Sequence, residues 1–228
     1  MILLIDMTHL DFSENQPENW QSVAHRRLRT KYRFEELSGE PCHVLRYTQF
    51  PAWLSGRYPI QGVNRLVFSG FNTEFDQYPS DILEAIKGWM LSPRLPTFTI
   101  CGSFQLMAHA HGAEIAPIGK QAPGATEHDD PIVPQGMTAE LGFQEVQDHH
   151  PSKLFDREIP QFTVFQHHYW EVKNIPDGFR HTASSPTCHI QALEHNTLPL
   201  AGVQFHPEDY DDTHPDGKTL LLNVFKKR

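Results

Sequence analysis

The sequence predicts an α/β fold: an open, mostly parallel sheet flanked by helices, with an antiparallel extension. Three observations predict it. Short apolar, β-prone runs alternate with helix-like runs through the first half of the chain, the pattern of a parallel sheet with crossover helices. In the second half, strand-like runs follow one another closely without intervening helices, which favours antiparallel neighbours. Chemically active groups fall at the ends of four candidate strands, at Asp6, Ser69-Gly70, Cys101 and His206. In open α/β sheets, that edge is where ligands bind.

The elements follow in order. Ile2–Ile5 is an apolar run that reads as a buried first strand, and His43–Tyr47, Arg65–Ser69 and Thr97–Cys101 are its parallel neighbours. Asn19–Leu37, rich in Arg, Glu and Leu, is helical in character. Ser80–Met90 opens on Ser and Asp, a helix start, and Phe104–His111 closes on Gly112, a helix stop. Pro117–Gly136 holds four prolines and three glycines and reads as a loop or irregular crossing. Phe143–Gln147, Phe162–Phe165, His189–Glu194 and Leu200–Phe205 are the later strands, and Lys218–Phe225 is a final helix. With no repeat and no linker-like stretch, residues 1–228 are expected to form one domain.

Composition narrows the class. The 228 residues carry 19 basic and 28 acidic side chains, a net charge of −9. That balance argues against nucleic acid or an anionic membrane as partner. The one basic cluster, Arg26 to Lys31, reads as a solvated helix face. No apolar run approaches the ~20 residues of a membrane span, and the apolar N-terminus lacks the length and basic lead-in of a signal segment. Cys42, Cys101 and Cys188 are too few and too widely spaced for a disulfide framework or a paired metal site. Cytoplasmic localisation is the expectation. The 15 histidines are scattered, and His109 and His111 fall on different faces of their helix, so no metal and no cofactor are expected.

Cys101 stands out among the cysteines. An apolar strand-like run enters it, Gly102 and Ser103 follow, and a helix-like run leaves. This is the form of a nucleophile elbow, a sharp strand-to-helix turn that holds a side chain out above a sheet. Far downstream, Gly202-Val203-Gln204-Phe205-His206-Pro207-Glu208 ends a strand in a histidine with a carboxylate two residues on. Thiol, imidazole and carboxylate are the parts of a Cys-His-Glu triad. A free thiol is mostly protonated at neutral pH, so it needs a base or a positive local field, and a helix N-terminus just after Cys101 offers one. Cys42 and Cys188 lack such a context and read as small buried hydrophobes. Glu171 and Glu194 read as surface groups, and Asp209, Asp211 and Asp212 as a solvated acidic run beside the triad loop.

These residues resemble the class I glutamine amidotransferases, triad-type glutaminase domains on a flavodoxin-like sheet that feed ammonia to synthetases. Thr99–Gln105 aligns with the family's elbow, G-x-C-x-G-x-Q. Gly202–Glu208 reproduces G-x-Q-F-H-P-E intact, and Ser69-Gly70-Phe71 aligns with a Ser-Gly-Gly turn. His167-His168-Tyr169-Trp170 aligns with S-H-G-D, and the resemblance continues through the C-terminal helix. It implies that Cys101 is the nucleophile, His206 the base and Glu208 its orienter. The backbone N–H groups of Phe71 and Gly102 become the oxyanion hole, and Gln105, His168 and Tyr169 the substrate contacts. Glutamine, or another γ-glutamyl amide, is the implied substrate and a separate synthetase subunit the implied partner.

The chain departs from the pattern at four places. Thr99 stands where the family has Gly. Gly102-Ser103 replaces x-Gly in the elbow, so Ser103 must take the glycine's geometry or the turn must differ. Phe71 replaces the second glycine of the oxyanion turn, where a positive φ strains a bulky residue. Tyr169-Trp170 brings two aromatics to the expected pocket. Three functions stay open: a stand-alone amidotransferase subunit, a hydrolase of γ-glutamyl amides or peptides acting without a partner, and a non-catalytic regulatory relative.

Overall fold

The computed structural model describes residues 1–13, 16–149, 152, 154, 155 and 161–226. The elements run β1 (Ile2–Asp6), α1 (Leu10–Ser13), α2 (Pro17–Ser38), β2 (Cys42–Arg46), α3 (Phe50–Leu54), β3 (Arg65–Phe68), α4 (Ser80–Leu91), β4 (Thr97–Ile100) and α5 (Gly102–Ala110). They continue with β5 (Ile115–Pro117), β6 (Glu140–Asp148), β7 (Gln161–His168), β8 (Trp170–Val172), β9 (Phe179–Ser184), β10 (Ala192–His195), β11 (Leu200–Val203) and α6 (Asp216–Lys226).

Nine strands form one sheet in the order β2-β1-β3-β4-β11-β10-β9-β6-β7, and β5 pairs with β8 in a separate ribbon. β2, β1, β3, β4 and β11 are mutually parallel. β10, β9, β6 and β7 extend the sheet antiparallel. The parallel half is central, so every residue of β1, β3 and β4 is buried. Alternation within those strands feeds two cores. Leu3, Ile5, Leu66 and Phe68 pack against α3, α4 and α5 on one face. Ile2, Leu4 and Val67 pack with Phe34 of α2 and with Leu221 and Phe225 of α6 on the other.

Helix ends follow local chemistry. α2 stops at Gly39, which takes φ 68° and donates its N–H to Glu35 O at 2.9 Å. Among the described residues, no helix is long and apolar enough to cross a membrane. The stretch from 118 to 139 forms no helix or strand beyond a single bridge between Lys120 and Met137. The short strands β5, β8 and β9 and the short helices α1 and α3 were not legible in the sequence. Each is too brief to show a period.

Candidate functional site

β4 delivers Cys101 to the carboxyl edge of the parallel strands, where α5 begins. Cys101 takes φ 52° and ψ −116°, and among the described residues no other non-glycine has positive φ. That conformation is costly for a residue with a Cβ and persists only where neighbours over-determine it. The anchors are explicit. Cys101 N donates to Val203 O at 2.8 Å, and Gln105 N returns to Cys101 O at 3.0 Å. Ser103, fully buried, donates its hydroxyl to Ser69 O at 2.5 Å, tying the first turn of α5 to the loop after β3. Ser103 therefore does not inherit the glycine's geometry; Cys101 carries the positive φ itself.

The expected strain at Phe71 is absent, since Phe71 does not have positive φ. Its bulk is accommodated across the gap. A Cβ on Gly102 would meet Phe71 Cβ at 2.6 Å. Thr99 is accommodated in the same way, because a Cβ on Gly202, its register partner in β11, would run into the Thr99 hydroxyl.

His206 follows β11, and its N–H donates to Phe165 O at 2.8 Å. Its Nδ1 lies 2.8 Å from Glu208 Oε1. Gly70 lets the ring approach Cys101: a Cβ there would stand 2.9 Å from His206 Cε1 and 3.4 Å from Cys101 Cβ. Burial pulls the His206 pKa down, but the Glu208 carboxylate and the Cys101 sulfur, by charge and hydrogen bond, outweigh it and raise it well above 6.5. Cys42 and Cys188 differ sharply, since burial pushes Cys42 up to about 12 and Cys188 well above its ordinary value. Both therefore remain inert thiols.

The basic run of α2 is not a solvated face. Arg27 pairs with Asp6 at the end of β1, and Arg29 pairs with Asp209. Arg33 donates to Glu208 O at 2.5 Å and stacks over Tyr210, 4.0 Å from its ring centroid. The helix thus clamps the turn that carries Glu208, so Asp209 is not part of a solvated run, whereas Asp211 and Asp212 are exposed. Glu171 and Glu194 are also not surface groups. Glu171 is buried against Lys173, and Glu194 accepts from Ser152 Oγ, Leu154 N and Arg180.

A cleft of about 660 Å³ opens over Cys101. Phe71, Gly102, Gln105, His168, Tyr169 and Trp170 contribute to its walls. The Tyr169 hydroxyl donates to Glu74 at 2.5 Å, fixing the ring at the rim. Pro131 and Ile132 bring the irregular 118–139 stretch to the same cleft, held by an Asp130–His167 contact of 2.9 Å. The His168 ring turns inward, with Nδ1 2.9 Å from Trp170 O and Nε2 3.0 Å from Glu140 Oε2. Sequence reasoning singled out neither Arg33 nor Glu140, both far from their partners along the chain. Gln204 was visible as part of the second motif but carried no role there.

Two clusters bring three ligand-type groups together: Glu140, His168 and Cys188, and His206, Glu208 and Asp209. Their donors are already committed. Glu140 accepts from Ser185, Gln191 and His168, Cys188 is held as a thiol, and Asp209 belongs to Arg29. Neither set suits a cation, which needs deprotonated, uncommitted ligands.

A strained cysteine at a strand-to-helix turn, beside a buried His–Glu pair, defines the nucleophile-elbow class of α/β proteins. The chain belongs to the class-I glutamine amidotransferase family, whose model matches residues 42–227. The glutamine-hydrolyzing subunit of GMP synthase from Methanopyrus kandleri is 33% identical over 192 residues, 84% of this chain and 87% of that protein. The Methanocaldococcus jannaschii protein of the same name is 33% identical over 136 residues, 60% of this chain and 62% of the relative, so the match spans less than two thirds of that relative's length. In fold, the chain is similar to a Thermoplasma acidophilum protein provisionally named as the same GMP synthase subunit. Their TM-score is 0.70 at 24% identity, covering 99% of this chain and 92% of the other.

Proposed function

We propose that residues 1–228 form a single glutaminase domain that releases ammonia from the side-chain amide of glutamine and supplies it to a separate synthetase subunit in a reducing, cytoplasmic setting. The observation that carries this is Cys101 at φ 52°, beside a His206 whose Nδ1 is 2.8 Å from Glu208, at the floor of an open cleft. The names of the relatives supply the partner: each is a subunit named for hydrolysing glutamine within a GMP synthase.

His206 takes the Cys101 proton and, with its pKa raised, holds it at neutral pH. The sulfur attacks the amide carbon, and the carbonyl oxygen becomes an oxyanion received by the Phe71 and Gly102 amides. Each such donor typically contributes about 10²–10³ in rate. His206 returns the proton to the departing nitrogen, so ammonia leaves and a thioester remains. Water, deprotonated by His206, attacks the thioester, releasing glutamate and restoring the thiol. Glu208 fixes the imidazole throughout. Gln105, His168 and Tyr169 hold the amino-acid end of the substrate.

The breadth of the cleft and the aromatics Tyr169 and Trp170 favour a second reading, hydrolysis of larger γ-glutamyl amides without a partner. One assay separates the two: ammonia release from glutamine and from a panel of γ-glutamyl amides, by the chain alone. Turnover of glutamine only supports the first reading; turnover of the larger amides only supports the second. A Cys101→Ala variant that keeps its ammonia release sinks both.

A further inference from the structure

A chain of side-chain amides leads from the buried interior to the Cys101 sulfur, and its direction is fixed by a main-chain atom. Trp170 O is a carbonyl and can only accept. It lies 2.9 Å from Gln105 Nε2 and 2.9 Å from His168 Nδ1. Gln105 therefore presents its NH₂ end there. The same Nε2 donates to Gln204 Oε1 at 3.0 Å. With its oxygen committed to Gln105, Gln204 turns its own NH₂ toward Cys101 Sγ, 3.7 Å away.

Gln204 is fully buried, and its main-chain N–H donates to Gln191 O at 2.8 Å. The far end of the network is equally committed. Glu140 accepts from Ser185 Oγ at 2.5 Å, Gln191 Nε2 at 2.6 Å and His168 Nε2 at 3.0 Å. A glutamine amide excluded from water, with its oxygen satisfied and its N–H directed at a sulfur, is a preorganised donor.

Resting on the cysteine chemistry proposed above, we propose that Gln204 is a further catalytic residue. Its side-chain N–H holds the Cys101 sulfur while that atom bears negative charge, before attack and again when the thioester breaks. The proton stays on the amide throughout. Gln105 acts on the sulfur through Gln204, as a positioning residue that sets the sense of the amide, besides its place in the cleft wall. His206 faces the same sulfur as the proton acceptor, and His167 O lies 3.9 Å from it on another side. Gln204 thus supplies an N–H donor to the sulfur where His206 supplies the charge.

The test is the second-order rate at which iodoacetamide, a neutral reagent, modifies Cys101 at neutral pH, read by mass spectrometry on folded protein. Gln204→Met keeps the length of the side chain and removes the donor. Gln204→Glu keeps the shape and places acceptor oxygens by the sulfur. A hydrogen bond to a charged group predicts a slowing of about tenfold or more for Met and a larger one for Glu. Ammonia release from glutamine should fall in the same order. If either folded variant alkylates at the wild-type rate, the assignment is overturned. If neither variant folds, the wild-type protein labelled with ¹⁵N-glutamine decides. One exchange-protected side-chain amide pair must shift between wild type and Cys101→Ala, and the absence of any such shift overturns the assignment. Cys101→Ala also separates the two levels. Should it retain ammonia release, the cysteine reading itself is wrong. Should it be inactive while the Gln204 variants alkylate normally, only the role of Gln204 is lost.

Discussion

Gly102→Ala is the smallest change that tests how the elbow is built. The added Cβ would stand 2.6 Å from Phe71 Cβ, 2.9 Å from its Cδ2 and 3.0 Å from its Cγ. Two carbon atoms do not approach so closely, so Phe71, α5 or both must move by several tenths of an ångström. The Phe71 ring has little freedom to yield. It packs against Phe75 at 4.9 Å and Tyr78 at 4.7 Å between centroids, and Tyr78 is itself buried and tied to Met7 O at 2.6 Å. Overpacking of this kind costs about 1–3 kcal/mol. The better helix propensity of alanine returns at most about 1 kcal/mol, and less at a first helical position, so the clash wins. For a chain of this size, a net loss of about 1–2 kcal/mol lowers Tm by roughly 2–8 °C.

Activity should suffer more than stability, because the two residues forced apart are the two proposed oxyanion donors. Displacing one donor lowers kcat by about 10²–10³. The assay is ammonia release from glutamine by Gly102→Ala, Phe71→Ala, Phe71→Gly and the two double variants. Phe71→Ala retains the Cβ that makes the 2.6 Å contact, so it should not rescue Gly102→Ala. Phe71→Gly removes that atom and should restore much of the lost rate. A Gly102→Ala variant with wild-type rate and Tm, or equal rescue by both Phe71 changes, would refute the reasoning.

Three further outcomes are expected. Arg33→Ala removes the bond to Glu208 O and the stack on Tyr210, and should lower kcat about tenfold with little change in KM; Arg33→Lys should recover only part, since lysine lacks the planar fork. His206 keeps its proton in the folded state above 6.5, where the unfolded chain has lost it, so its contribution to stability is full below 6.5 and is lost as pH rises through the raised folded value. Tm measured against pH should carry that alkaline fall in the wild type and lose it in His206→Gln. Asp130→Ala cuts the contact with His167 that holds the 118–139 stretch over the cleft, and should raise KM for glutamine several-fold with kcat nearly unchanged; an unaltered KM removes that stretch from the site.

What was legible in the sequence was local. The parallel strands showed as apolar runs because both their faces are covered, and α2, α4 and α6 showed because each spans several turns. Cys101, His206 and Glu208 showed because each sits inside a short motif whose spacing encodes a turn. What was hidden depends on distance along the chain. Arg33 meets the main chain of Glu208 only because α2 crosses behind β1 and packs on the face that α6 shares. Glu194 and Glu171 look like surface charges in a string of letters, and only the fold gives them Ser152, Arg180 and Lys173. Charge cannot reveal its own partner, so the basic face of α2 read as solvated until Asp6 and Asp209 were placed opposite it.

The departures from the family pattern form pairs, and the pairing explains how the elbow survives them. Phe71 fills space that Gly102 leaves empty, and Thr99 fills space that Gly202 leaves empty. Ser103 gives α5 an anchor on Ser69 O, which a glycine has no side chain to provide. Cys101 itself then carries the positive φ, a cost of order 1–3 kcal/mol concentrated at the one residue whose reactivity depends on being held out from the turn. Reverting one member of a pair leaves either a cavity or a clash, while reverting both leaves neither. Phe71→Gly alone should therefore lose stability through the empty space against Phe75 and Tyr78. The elbow tolerates a change at one of these positions only when its neighbour changes in step, so Phe71 with Gly102, and Thr99 with Gly202, behave as single units of the turn.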